Sequence, residues 1–145
     1  MARNWDDDAY IGEMSGFLAF ETFRRSRRPN NFLVAPEGFC ENSKTDQRSP
    51  ILSEPPSAVF EALVDRVERE KLWGDLVTDP AQHRLRFVAR TPLLRFRDDV
   101  DIHVLAGPSE TGSQIAVYSR SRLGHSDLGA NAQRVRNMLD QLTAK

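Results

Sequence analysis

The chain has 145 residues, 39% of them hydrophobic, the length of one ordinary domain and apolar enough to bury a single core without cross-links. Its 20 basic and 21 acidic side chains leave a formal net charge of −1, which excludes a global field drawing in nucleic acid or an anionic membrane. A lone cysteine, Cys40, excludes an internal disulfide framework, and three histidines at positions 83, 103 and 125 without ligand spacing exclude a zinc set. No metal and no cofactor is expected.

No apolar run approaches the ~20 residues that span a bilayer, and the acidic start, MARNWDDDAY, is unlike a signal peptide. A cytoplasmic protein is the expectation, with attachment to a membrane periphery as the alternative. Residues 8–26 place Ile11, Met14, Phe17, Leu18 and Phe23 near helical spacing, after Asp6, Asp7 and Asp8 and before Arg24, Arg25, Arg27 and Arg28. Acid before and base after suit a helix dipole, and Pro29 stops the element. An N-terminal amphipathic helix is therefore predicted within residues 1–28, ahead of a single α+β domain over 29–145. It packs on that domain or, through residues 8–28, docks on a complex or a membrane surface.

From Pro29 to Pro56 the chain reads as extended surface crossing, with Ile51 and Leu52 in a first strand and Cys40 a partly buried, inert thiol. PPSAVFEALVDRVEREKLWG then predicts a helix capped by Ser53 or Ser57, with a proline in its first turn. Val59, Phe60, Leu63, Val64 and Val67 form its apolar face, Gly74 marks its end, and Glu61, Asp65, Arg66, Glu68, Arg69 and Glu70 form a solvated face.

The period then changes to two. DLVTD, HRLRFVART, DDVDIHVLA and QIAVYSRSR read as four strands, and residues 131–144 as a last helix with Val135, Met138, Leu139 and Leu142 inward. The expected fold is α+β: an antiparallel sheet of four to five strands in the order β-α-β-β-β-β-α, with helices on one face. Alternation sends Leu85, Phe87, Ala89, Val100, Ile102, Val104, Ile115 and Val117 to the helix side. It sends Arg84, Arg86, Arg90, Asp99, Asp101, His103, Tyr118, Arg120 and Arg122 to an open, polar side. Pairing Leu105 with Gln114 sets Ile102 against Val117, Asp99 against Arg120 and Asp101 against Tyr118, so that apolar residues meet on one face and opposite charges on the other.

RFRDDVDIHV followed by AVYSRSRLGHSDLGANAQRVRNML resembles the bacterial and plastid family known as domain of unknown function 1499. Its Ser-Arg-x-Gly-x-Ser-Asp-Leu-Gly-x-Asn-x-x-Arg run is filled by Ser121, Arg122, Gly124, Ser126, Asp127, Leu128, Gly129, Asn131 and Arg134, and RPNNFLVAPEGFC is similar to its opening motif. The resemblance covers roughly residues 28–143. It implies no reaction, substrate or catalytic residue. The resemblance implies an exported or membrane-anchored protein with a hydrophobic N-terminal segment, a pattern from which residues 1–27, acidic then basic with a short apolar stripe, depart. Read by themselves, Gly124 and Gly129 suit positive φ, Ser126 or Asp127 accepts turn N–H groups, and Asn131 caps the last helix. Arg122 and Arg134 can reach an orphan carbonyl or Asp98 and Asp99. An internal partner for Arg122 makes the motif architecture; a pocket makes it a site.

The leading functional expectation is a non-catalytic binding or assembly module. Arg90, Tyr118, Arg120, Arg122 and Arg134 would bind a small acidic molecule, a lipid head group or a protein partner, on the sheet face or in the groove where strands meet the last helix. No nucleic acid is expected, since one aromatic on the face is too few for a stacking platform. The alternative is a cofactor-independent isomerase or cyclase using His103, Asp101 and Tyr118, which requires a water-poor pocket around His103.

Overall fold

The computed structural model describes residues 16–109, 111–124 and 126–144. The elements run β1 (Asn31–Ala35), β2 (Gln47–Arg48), α1 (Pro56–Arg69), β3 (Trp73–Asp79), β4 (Arg84–Arg90), β5 (Arg97–Ala106), β6 (Ser113–Ser121) and α2 (Ala130–Thr143). Six strands form one mixed sheet in the order β2-β1-β6-β5-β4-β3. The β5–β6 register is the predicted one, with Leu105 opposite Gln114, Ile102 opposite Val117 and Asp99 opposite Arg120.

The expectation of four to five antiparallel strands needs two corrections. NFLVA pairs antiparallel with β6 and contributes side chains to both faces of the sheet, Phe32 and Val34 to one and Leu33 and Ala35 to the other. Such a run is apolar without alternation because it is covered on both sides. β2 then adds a parallel edge to β1, so the sheet is mixed. Ile51 and Leu52 form no strand; Leu52 makes an isolated bridge to Ser113.

Both helices lie on one face. Val59, Phe60, Leu63 and Val67 of α1 and Val135, Met138 and Leu139 of α2 close the core over Leu85, Phe87, Val100, Ile102, Ile115 and Val117. α1 starts without a side-chain cap, on Pro55, and ends at Arg69, so Gly74 belongs to β3 instead of marking the helix end.

The opposite face is covered, not open. Leu18, Phe20 and Phe23 pack on Leu33, Ala35, Ala116 and Tyr118, with Phe39, Cys40 and Leu105 at the margin. The predicted N-terminal helix is absent from residues 16–26, while residues 8–15 lie outside those described. Partners from the sheet and the 36–46 loop replace helical ones. The Leu18 N–H donates to Asp101 Oδ1 at 3.3 Å, the Arg25 N–H to Ser43 Oγ at 3.0 Å and the Ser26 N–H to Tyr118 Oη at 2.9 Å. Only a single turn, Phe23 N–H to Ala19 O at 3.0 Å, keeps helical bonding.

Candidate functional site

Tyr118, Asp101 and Arg120 are 0%, 2% and 7% exposed beneath the 16–26 segment, so the polar platform read from alternation is an internal staple. Arg120 Nη1 donates to Asp101 Oδ2 at 2.7 Å, and its guanidinium lies 5.0 Å above the Tyr118 ring. Tyr118 Oη accepts from Ser26, and the second Asp101 oxygen accepts from Leu18. His103, half-buried on this face, stands edge-on to Phe39 with centroids 6.5 Å apart. Burial, aided by Arg84, holds its pKa below the ordinary 6.5, with Glu21 partly opposing. The unfolded chain then takes up the proton more readily than the folded one, and stability is lost as pH falls below 6.5. Thermal melts should show this slope between the ordinary and the lowered value, and His103→Gln should flatten it. Cys40, half-buried nearby, has its thiol pushed up to about 11 by burial and Glu21 against a weaker pull from Arg25. That is an inert thiol at neutral pH.

The run from Ser119 to Arg134 is a hydrogen-bonded joint between β6 and α2. Arg122 grips Asp99 with both prongs, Nε and Nη2, at 3.0 and 2.9 Å, so its partner is an internal carboxylate. Arg134 Nη2 donates to buried Asp98 Oδ2 at 2.8 Å, while its Nη1 donates to Ser119 Oγ and Asn131 Oδ1 at 3.0 and 2.9 Å. Asn131 is fully buried and donates from Nδ2 to Asn30 O, Ser121 Oγ and Asp127 Oδ2. It is therefore a hub in the first turn of α2, not the cap. The N-cap position is Gly129, and Asp127, two residues ahead of it, accepts the N–H groups of Gly129 and Asn131 at 2.8 and 3.0 Å. Burial alone would raise the Asp127 pKa, but these bonds and the Asn131 amide outweigh it and lower it. Gly124 and Gly129 take the positive φ expected of them, 88° and 84°. The hydrogen bonds of this motif join the end of β6 to the start of α2.

A second constellation lies where α1 ends, β3 begins, the 91–96 turn passes and α2 starts. These segments wall a groove of about 830 Å³. Arg66, Arg69, Lys71, Arg90, Arg95 and Arg134 line it against a single carboxylate, Glu70. Arg66 and Arg69 sit in the last turn of α1, where cations complement the helix dipole. Glu70 is taken up by Arg66 at 2.7 Å, and Arg66 also reaches Asn137 at 3.0 Å and Gln141, tying α1 to α2. Arg134 is held by Asp98. Arg69, Lys71, Arg90 and Arg95 are in no ion pair among the described residues, Arg69 donating only to the Asp65 carbonyl at 3.3 Å. Trp73 adds an aromatic wall, its ring stacked on Phe87 at 4.9 Å and covered by Arg66 at 5.0 Å.

A family model described as "Protein of unknown function (DUF1499)" matches residues 25–142. The chain belongs to this family. The DUF1499 match takes in β1 to most of α2, so both the Ser119–Arg134 joint and the groove fall inside it. No curated protein matches the chain. Among solved structures it is similar to one described as the "Crystal structure of the di-domain ARO/CYC BexL from the BE-7585A biosynthetic pathway". Identity is 13% and the TM-score 0.48, over 66% of this chain; the chain spans 44% of that one.

Of the residues singled out in the DUF1499 sequence, Arg90 and Arg134 line the groove. Tyr118, Arg120, Asp101 and His103 belong to the opposite face, and Arg122 to the joint. Arg66, Arg69, Lys71, Trp73 and Arg95 were not singled out, because 66 and 69 fit a solvated helix face. The density of cations in RVEREK and in ARTPLLRFR was the available signal. Among the described residues no group of three or more His, Cys, Asp or Glu side chains could hold a metal ion, and no helix is long and apolar enough to cross a membrane.

Proposed function

We propose that this chain is a non-catalytic binding module whose basic groove takes a small acidic ligand. The observation that carries the reading is the charge imbalance: six cations line the groove, the lone carboxylate is already neutralised by Arg66, and four cations, Arg69, Lys71, Arg90 and Arg95, have no acidic partner among the described residues. An anion entering there gains charge-assisted hydrogen bonds from a half-buried Arg90 and from exposed Lys71 and Arg95. Proton-transfer chemistry through His103, Asp101 and Tyr118 has less support, since Asp101 and the Tyr118 hydroxyl are bound to Arg120, Leu18 and Ser26.

The chain has two tryptophans, so a Trp5→Phe background leaves Trp73 as the sole reporter. A thermal-shift screen of carboxylates and phosphate esters should find compounds that raise Tm and change Trp73 fluorescence. Lys71→Ala combined with Arg90→Ala should weaken binding at least about tenfold, the loss of one or two charge-assisted bonds. No acidic compound raising Tm, or an undiminished response in the double variant, would contradict the reading.

A further inference from the structure

Among the described residues, five of the seven large hydrophobic side chains left exposed are gathered on two loops, 91–96 and 122–129. Leu93, Leu123 and Leu128 are 89%, 78% and 97% exposed, and Leu94 and Phe96 are exposed with them. The loops leave the sheet side by side, since the Arg122 N–H donates to Arg97 O at 3.1 Å where β5 starts and β6 ends. Neither the core nor the groove uses these five side chains. Leu128 also takes φ 53° and Arg95 φ 57°, conformations that cost a side-chain-bearing residue energy and that no packing of Leu128 repays.

We propose that this pair of loops is a docking surface for an anionic lipid bilayer. Three features favour a bilayer over a protein. The apolar side chains stand on turns and irregular loop segments and are more than half exposed, free to enter a head-group layer. Guanidinium groups alternate with them: TPLLRFR carries Arg95 and Arg97, both exposed, and no acid before Asp98, which is turned inward onto Arg134. The Asp127 carboxylate of the second loop is likewise consumed by Asn131 and Gly129. Aliphatic and aromatic tips set among arginines match an interface where hydrocarbon begins just below anionic phosphates. The surface is distinct from the N-terminal segment, whose Leu18, Phe20 and Phe23 are buried in the fold. It adjoins the groove and shares Arg95 with it, but its apolar tips do not depend on the anion-binding reading there, because Leu93 and Leu128 do not line the groove.

Co-sedimentation of the full chain with vesicles tests this. Binding to phosphatidylcholine mixed with phosphatidylglycerol should exceed binding to phosphatidylcholine alone by about tenfold or more, since each arginine near an anionic surface contributes roughly fivefold. Leu93→Asp with Leu128→Asp should abolish that binding with Tm unchanged, both side chains being exposed. Ile51→Asp, at an exposed leucine-sized residue beyond the two loops, should bind as the parent does. The proposal is overturned if the parent fails to sediment with the mixed vesicles, or if the double variant sediments equally well. It is also overturned if sedimentation velocity without lipid shows the parent dimeric and the double variant monomeric, which would make a second copy the occupant. Retained soluble-anion binding in the double variant separates failure here from failure of the groove.

Discussion

Arg134→Met should lower folding stability by about 3–5 kcal/mol, the penalty for stripping the partner from a buried charge. Asp98 is 1% exposed, and its Oδ1 has no hydrogen-bond partner in the structure. Removing the 2.8 Å contact from Arg134 Nη2 to Oδ2 therefore leaves both oxygens without a cation in the interior. Ser119 Oγ and Asn131 Oδ1 lose a donor at the same time. Methionine keeps the length and apolar stem of the side chain, so the loss reports electrostatics more than packing. Adding Asp98→Asn should recover more than half of it by removing the stranded charge. Urea denaturation of the two single variants and the double completes the cycle. Equal losses in Arg134→Met and the double variant would show that the pair does not hold α2 to the sheet.

Phe23→Ala should cost about 3–5 kcal/mol, the range for emptying a buried phenylalanine site. Phe23 is 1% exposed, its ring 4.9 Å from Tyr118 and 5.8 Å from Phe20 by centroid. Its own carbonyl accepts from Ser43 Oγ at 2.8 Å, which ties the segment to the 36–46 loop. A docking helix displayed for a partner would tolerate the substitution with little change in Tm. The structure requires a cooperative loss, accompanied by exposure of Cys40 to thiol reagents as the layer over it loosens.

The β5–β6 register was legible because two independent patterns, apolar pairing on one face and charge pairing on the other, agree on a single alignment. Asp98 and Asp99 were legible as candidate partners of Arg122 and Arg134, with an orphan carbonyl as the alternative; which acid each takes was not, since Arg134 stands on α2, where the strand register does not place it. The cover on the second face was not legible. Alternation sorts residues between faces but does not say what lies over either one. Ala116, Tyr118 and Leu105 were apolar hints on a face otherwise read as polar. Residues 16–26 misled because Phe17, Leu18 and Phe23 fit a helical stripe, although the N–H groups of Leu18, Arg25 and Ser26 go to Asp101, Ser43 and Tyr118. The groove draws on residues 66–73, 90–95 and 130–137, and no local pattern announces that three distant segments converge.

Nitrogen-edited NMR of the arginine Nε–H and tryptophan indole groups, followed while a Tm-raising anion is added, distinguishes the groove from the sheet face in one titration. Resonances of Arg90, Arg95 and Trp73 should move together and saturate, while that of Arg120 stays still. Saturable movement of Arg120 with Arg90, Arg95 and Trp73 unmoved would place the ligand on the covered face and contradict the groove as the binding site.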